Sequence, residues 1–333
     1  MIITKTPLRI SLCGGGTDYP GWFKENHGLV VGGGINKYSV VTARWLPPFH
    51  TFKSRVVYNQ IETVAENDDI QHRAIRECLN ILNIRDGVEI IHSSDIPGRS
   101  GTGSSSTFVV GVLNALSTLL QVSGNQRKLL TPELLARTAI QIERERMAEA
   151  GGWQDQVYAA YGGLKIIRFQ GDDFNVTPLT LSCSQTKDLE SHLMLYFTGV
   201  SRNSCDVAAS YAPSIGQMRE QQTSMLRITD HAIDALYTSN WKELGKWIDM
   251  SWRIKASLSD KVSSEYISSI YADARLRGAF GGKLIGSGGG GCVLLVAPPE
   301  RHEEIHEGLS VRGCVRIPFE WEHSGSNVIF YGR

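Results

Sequence analysis

The sequence has no surplus of charge: its 34 Lys and Arg are matched by 34 Asp and Glu over 333 residues. Such a balance offers no basic face to nucleic acid and no electrostatic hold on a membrane surface, so neither partner is expected. It has no C-x-x-C pair. Its six cysteines, Cys13, Cys78, Cys183, Cys205, Cys292 and Cys314, are scattered, which argues against a disulfide framework and for a reduced, cytoplasmic setting. The N-terminus lacks the apolar stretch of a secretion signal, and no apolar run is expected to cross a bilayer. Repeats and low-complexity segments are also missing. What remains, with 41% hydrophobic residues, is the make-up of a globular enzyme long enough for two domains, each with its own core.

Two further absences narrow the reading of Ile96-Pro97-Gly98-Arg99-Ser100-Gly101-Thr102-Gly103-Ser104-Ser105-Ser106-Thr107. The apolar, β-branched Val88 to His92 precedes it and a long apolar run from Phe108 to Leu120 follows, so the order reads strand, glycine loop, helix. Glycines let backbone N–H groups approach an oxyanion, and the first helical turn adds unpaired donors and the positive dipole end. No lysine follows Gly103, which excludes a Walker loop, and no acid lies between Asp95 and Glu133, which disfavours a dinucleotide-binding βαβ unit. A phosphate loop ending in three serines, whose hydroxyls suit Mg²⁺, and a serine-rich helix cap both remain open from the loop alone.

Residues 2–13 read as a strand interrupted by Pro7 and lead into Gly14-Gly15-Gly16-Thr17-Asp18, bracketed by the charges of Arg9 and Asp18. Gly28 to Ile35 and Tyr38 to Trp45 read as two strands joined through Asn36-Lys37. The stretch from Pro47 to Asn67 shows no pattern, and a helix is expected over Gln71 to Leu82. The run after the loop is apolar nearly all round, apart from a stripe of Thr107, Asn114, Ser117 and Thr118, which predicts a buried helix. Thr131-Pro132-Glu133 is an N-cap with proline in the first helical position, opening a helix expected to run to Gly151. On it Glu143 shares a face with Ala136, Ala139, Ile140 and Met147. A buried carboxylate needs a cation or strong donors, so it is either in an ion pair with Arg137, Arg144 or Arg146 or part of a site.

Gly151-Gly152 breaks that helix, and Asp155 sits in the first turn of the next, after two glycines that open backbone space for a ligand. The polar stretch Gly171 to Lys187 is the expected boundary, giving halves 1–180 and 181–333. The second half reads as a strand over 192–198, helices within 215–237, 240–257 and 262–277, and the glycine run Gly286 to Gly291 before the strand Val293 to Val296. A helix is expected after Pro298-Pro299, then strands near 313–318 and 326–330. His302-Glu303-Glu304-Ile305-His306 has the zinc-protease pattern, but only Glu320 or Glu322 suggests itself as a third ligand, so it is read as a surface helix.

Three motifs in one order, Pro7-Leu8-Arg9 with Gly16-Thr17-Asp18, the loop Pro97 to Thr107, and Gly286 to Cys292, make the chain resemble the GHMP kinase superfamily over nearly its whole length. The resemblance implies an α+β fold of two halves, an N-terminal α/β domain with a left-handed βαβ unit and a ferredoxin-like C-terminal domain. It implies ATP bound by Pro97, Gly98, Ser100, Gly101, Gly103, Ser104, Ser105 and Ser106 with Gly288 and Gly289. By the same resemblance Ser105 and Glu143 are Mg²⁺ ligands, Asp155 is the base or orienting group for the acceptor hydroxyl, and Arg9 is the cation beside it. The loop departs from the family at Arg99 and Thr102, which replace a small residue and a leucine; arginine enters positive φ less cheaply than glycine.

Ile142 to Glu145, Gly151 to Gln156, Leu195 to Gly199 with Arg202, and Ser251-Trp252-Arg253 look most like the heptose 7-phosphate kinases of that superfamily. This implies phosphorylation of the anomeric hydroxyl of a small-molecule sugar phosphate, D-glycero-D-manno-heptose 7-phosphate, for surface glycan precursors. Galactokinase-like members carry Glu-His where Gly15-Gly16 stand here, so a deeper pocket is expected. Gly15, Gly16, Thr17, Asp18 and Gly152 would line it, with Lys37, Arg202 and Arg253 as cations for the 7-phosphate. An L-fucokinase-like sugar 1-kinase is the rival enzyme, and a silent sugar sensor on the same scaffold is the rival of another class.

Overall fold

The computed structural model describes residues 1–124, 130–202 and 204–332. Its first sheet is built from β1 (Ile2–Cys13), β2 (His27–Trp45), β3 (Ser54–Val57), β4 (Ile61–Val64), β5 (Val88–Ser94), β6 (Leu164–Gln170) and β7 (Asp173–Pro178). The second sheet takes β8 (Leu193–Phe197), β9 (Gly281–Leu284), β10 (Cys292–Val296) and β11 (Val315–Arg316), and β12 (Asn327–Tyr331) returns to pair with β1.

The two strands expected over 28–45 are one. Its first part pairs with β6 and its second with β5, and β1 runs along both. Asn36-Lys37 is the irregularity in that ladder: Pro7 faces Tyr38 while Leu8 faces Ile35, so extra residues are absorbed beside the proline, which has no N–H to pair. Part of the unpatterned region is also strand, with β3 parallel to β5 across the helix Arg73–Ile81.

The helix Ser104–Val122 lies on β1 and β2, with the helices Arg73–Ile81, Pro132–Ile140 and Gln154–Tyr161 also packed on it. Residues Ser106 to Leu120 are all buried, as the apolar circumference requires. By length and composition it is apolar enough to cross a membrane, contrary to the expectation that no run would be, yet it serves as a core helix. Gly111 permits the contact, because a Cβ there would lie 3.0 Å from Thr6 Oγ1.

Helix starts follow their caps. Thr131, Ser182, Asn240 and Ser264 each accept a backbone N–H of the first turn, and Ser182 with Gln185 completes a capping box. The helix expected to reach Gly151 stops earlier: Gln141–Arg146 widens into a π-turn closed by Met147 N–H on Ile142 O at 2.8 Å. Ile142 and Glu143 are the buried residues of this turn, and Ala148 then leaves the helix at φ 54°.

In the second sheet the order β11-β8-β10-β9, all antiparallel, is the ferredoxin-like order, with the helices from Arg219 to Leu276 between β8 and β9 and His302–Val311 between β10 and β11. Strand β7 and the helix Cys183–His192 occupy the polar stretch 171–187. One apolar cluster fills the first sheet's core and continues through Met225, Ile233, Leu244 and Ile248 into the second half, while a second gathers around Tyr196, Trp252 and Ile270. The cleft between these halves receives the ends of β1 and β9 and the start of the helix Ser104–Val122.

Candidate active site

The loop between β5 and the helix Ser104–Val122 turns on Gly101 and Gly103, at φ 81° and 74°. Arg99 also adopts positive φ, 64°, a conformation that is strained for a residue with a side chain. The loop is held from the second half: Cys292 N–H donates to Ser100 O at 2.9 Å, a Cβ on Gly101 would meet Ile285 O at 2.4 Å, and one on Gly286 would meet Gly101 Cα at 2.5 Å. Thr102 is buried, bonded to Ser100 through its hydroxyl at 2.8 Å, and its carbonyl accepts Arg9 N–H at 3.1 Å. Gly103 begins the helix without a side-chain cap, so the first-turn N–H groups of the cleft-lining Ser104, Ser105 and Ser106 are free of side-chain competition for an anion.

Across the cleft, the Arg9 guanidinium, 3% exposed, takes both oxygens of Asp155, Nε to Oδ1 at 2.9 Å and Nη2 to Oδ2 at 2.7 Å, while Nη1 donates to Gly101 O. One arginine thereby ties the acid to the phosphate loop. Asp18 is buried and accepts Gly16 N–H at 2.9 Å and Gln154 Nε2 at 2.9 Å; burial pushes its pKa up, against these hydrogen bonds. The glycine pair before Asp155 makes room for protein groups: a Cβ on Gly152 would overlap the Asp18 carboxylate, and one on Gly151 would meet the Arg144 guanidinium at 2.8 Å.

Glu143 has no ion pair among the described residues. Arg137 pairs with Glu133 and Asp173, Arg146 with Glu77, and Arg144 donates to the carbonyls of Glu149 and Gly152. The Glu143 carboxylate instead accepts Ser106 Oγ–H at 2.7 Å and Gln156 Nε2–H, and burial raises its pKa. Ser105 lines the same cleft, but Ser106 is the serine bonded to this acid.

Several expected site residues stand elsewhere. Thr17 is buried behind the cleft, its hydroxyl donating towards Gly14 O and Leu29 O and accepting Leu29 N–H. Pro97 and Gly98 are exposed on the outer loop, and Ser100 is buried in the seam. Gly288 and Gly289 pack on Val262 and Val207, so they shape the second glycine loop, whose Gly286 and Ser287 are the cleft residues. Lys37 sits in the β2 irregularity and Arg202 beside Gly289, neither lining the cleft. Arg253 points outward, its side chain 74% exposed and paired with Asp249.

The cations that do line the cleft, besides Arg9, are Arg99, Arg144, Lys255 and Lys283. Lys255 is one helical step from Trp252 and two from Ile248, on the buried face opposite Arg253, and Lys283 sits in the fully buried β9. Both were findable by the argument that singles out Glu143: a charge in an apolar pattern has a reason to be there. Lys255 Nζ donates to Gly286 O and Lys283 Nζ to Leu12 O at 3.4 Å, and among the described residues neither meets a carboxylate directly. Burial, with the neighbouring ammonium, lowers Lys255 to about 7; burial lowers Lys283 to about 8.

The donor set fits a nucleotide triphosphate with a hard divalent cation. The uncapped helix start and positive-φ glycines suit polyphosphate, and Glu143 with the serine hydroxyls offers only oxygen ligands. The zinc pattern does not assemble, since His302 turns to Ala297 O and His306 to Tyr196, and no group of three His, Cys, Asp or Glu among the described residues gathers to hold a metal.

Residues 69–163 match the model of the GHMP kinases N terminal domain and residues 232–311 that of the GHMP kinases C terminal domain. The chain is 28% identical, over 92% of its length and 93% of the other, to D-glycero-alpha-D-manno-heptose 7-phosphate kinase of Campylobacter jejuni. It is 26% identical over 91% of its length to a bifunctional fucokinase/GDP-fucose pyrophosphorylase of Arabidopsis thaliana, of which it spans 30%. The fold is that of a D-glycero-D-manno-heptose 1-phosphate kinase from Bacteroides thetaiotaomicron, with a TM-score of 0.80 over the whole of both chains at 23% identity.

Proposed function

This chain belongs to the GHMP kinase family as an ATP-dependent sugar kinase, and from that premise we propose that it phosphorylates the anomeric hydroxyl of D-glycero-D-manno-heptose 7-phosphate, giving the 1,7-bisphosphate for surface glycan precursors. The observation that carries the reading is the Arg9–Asp155 pair set opposite an uncapped helix start in one cleft.

Arg9 occupies one lone pair on each Asp155 oxygen, which fixes the carboxylate and leaves acceptor capacity for a hydroxyl proton. The acceptor oxygen forms the new bond to the γ-phosphorus, the bond from that phosphorus to the β–γ bridging oxygen breaks, ADP leaves, and the proton passes to Asp155. Charge on the migrating group is spread in a loose transition state, and Arg9 with the first-turn amides of Ser104 to Ser106 is placed to offset it. Magnesium, held by Glu143 with Ser105 or Ser106, would neutralise charge on the polyphosphate. Asp18 and Gln154 are the groups for ring hydroxyls. No disulfide joins any of the cysteines among the described residues, which suits a reducing compartment, and we place the reaction in the cytoplasm.

ADP release across a panel of sugars and sugar phosphates tests the assignment. Heptose 7-phosphate is expected to give the highest kcat/KM, with phosphate appearing on C1. Faster turnover of L-fucose or galactose would overturn it and leave the general sugar-kinase reading.

A further inference from the structure

Five basic side chains, Arg9, Arg99, Arg144, Lys255 and Lys283, line the cleft against four acidic ones, Asp18, Glu143, Glu149 and Asp155, and two of the basic ones, Lys255 and Lys283, are buried there without a directly bonded carboxylate among the described residues. Lys255, Lys283 and Arg9 converge from three elements on Asp18 and Asp155, and Asp155 is already taken up by Arg9. Lys255 is 8% exposed and Lys283 3%, and among the described residues each ammonium hydrogen-bonds only a carbonyl oxygen. An ammonium kept out of water in this way is costly unless an anion arrives to meet it.

The position of Lys255 indicates which anion. Its Nζ lies 3.9 Å from the point where a Cβ on Gly15 would stand, and Gln154 Nε2 lies 3.5 Å from the same point. The space over Gly15, on the turn that carries Asp18, is thus bordered by the Lys255 ammonium and the Gln154 amide. Lys283 reaches the other side of that turn at Leu12. Around them Ser11 Oγ and Gln154 Oε1, both on cleft-lining residues, are buried side-chain atoms with no hydrogen-bond partner among the described residues. The polyphosphate has its own glycine loop and helix start, so the two ammonium groups and the Ser11 hydroxyl are donors left for the acceptor, while Gln154 Oε1 can take one of its hydroxyl protons.

The geometry points to Lys255 and Lys283 as the recognition site for a phosphate ester carried by the acceptor, seated over Gly15 with the Ser11 hydroxyl beside it. This deepens the heptose 7-phosphate reading by moving phosphate recognition from Arg202 and Arg253 to two lysines of the second half. It also extends to any phosphorylated sugar the enzyme turns over.

The test compares wild type with Lys255→Met and Lys283→Met on heptose 7-phosphate and unphosphorylated heptose, following ADP release, with ATP binding and Tm measured alongside. Each variant is expected to raise KM for the phosphorylated sugar on the order of 10²-fold and to collapse the preference over the unphosphorylated one by a similar factor. ATP affinity is retained and Tm is unchanged or higher, because a methionine removes a desolvated charge without leaving a hole. A merely structural lysine would instead lower Tm. Lys255→Arg, which keeps a cation, recovers part of the preference. Equal losses on both sugars would assign the ammonium to the migrating phosphoryl group and overturn the inference, as would an unchanged KM. If wild type prefers a different phosphorylated sugar, the heptose reading fails and the lysines are judged on that sugar. If it prefers an unphosphorylated one, the inference fails as well.

Discussion

Gly152 has its α-carbon so close to the Asp18 carboxylate that a Cβ there would overlap Oδ2, and the carboxylate in turn accepts from Gln154, two residues further on. The 151–154 turn and the 14–18 turn therefore fit together as one piece. Gly152→Ala forces Asp18 to move, at about 1–3 kcal/mol of overpacking. The expected result is a higher acceptor KM with unchanged ATP affinity, measured by steady-state kinetics and calorimetry.

Asp155→Asn keeps the shape of the side chain that Arg9 grips but removes its charge. A loss of roughly 10²–10⁴ in kcat is expected, with little change in ATP affinity and a folded protein by circular dichroism. Near-normal turnover would make Asp155 a favourable charge at a helix start and nothing more.

Arg99 holds positive φ on the rim of the cleft. Arg99→Gly removes strain of about 1 kcal/mol, so chemical denaturation should show a stability gain of that order. The same change removes a guanidinium from the nucleotide side, and KM for ATP is expected to rise.

Lys255, faced by Lys283, Arg9, Asp18 and Asp155, has its pKa lowered to about 7 in the folded state. Between that value and the ordinary lysine range, the unfolded chain binds more protons than the folded one. The contribution of Lys255 to stability therefore increases as pH rises through that window. Lys255→Met should raise Tm more at pH 6 than at pH 9, read by differential scanning calorimetry without ligand. Affinity for a phosphorylated acceptor runs the other way and falls as the ammonium deprotonates.

The sequence showed most where a residue's chemistry clashed with its pattern. Glu143 on an apolar face and Asp155 after two glycines both lead to the cleft, and the buried helix Ser104–Val122 follows from its apolar circumference. Its failures were in direction and register. Arg253 and Lys255 are two residues apart on one helix, and only the packing of that helix decides which enters the cleft. Likewise Asn36-Lys37 looked like a turn because nothing local reveals that β1 continues past both. The π-turn at Gln141–Arg146 has no sequence signature: adjacent buried residues such as Ile142 and Glu143 also occur in the regular helix before it, at Leu135-Ala136 and Ala139-Ile140.

The clasp between Ser100–Gly101 and Gly286–Cys292 bears on cooperativity as well as on shape. The nucleotide loop of the first half is completed by backbone of the second, more than a hundred residues downstream, so neither half alone presents a finished loop. Binding energy from ATP is then shared by both. Heating should produce one calorimetric transition that ATP moves upward as a whole, and a first half expressed without the second should fail to bind the nucleotide even where its own sheet has formed.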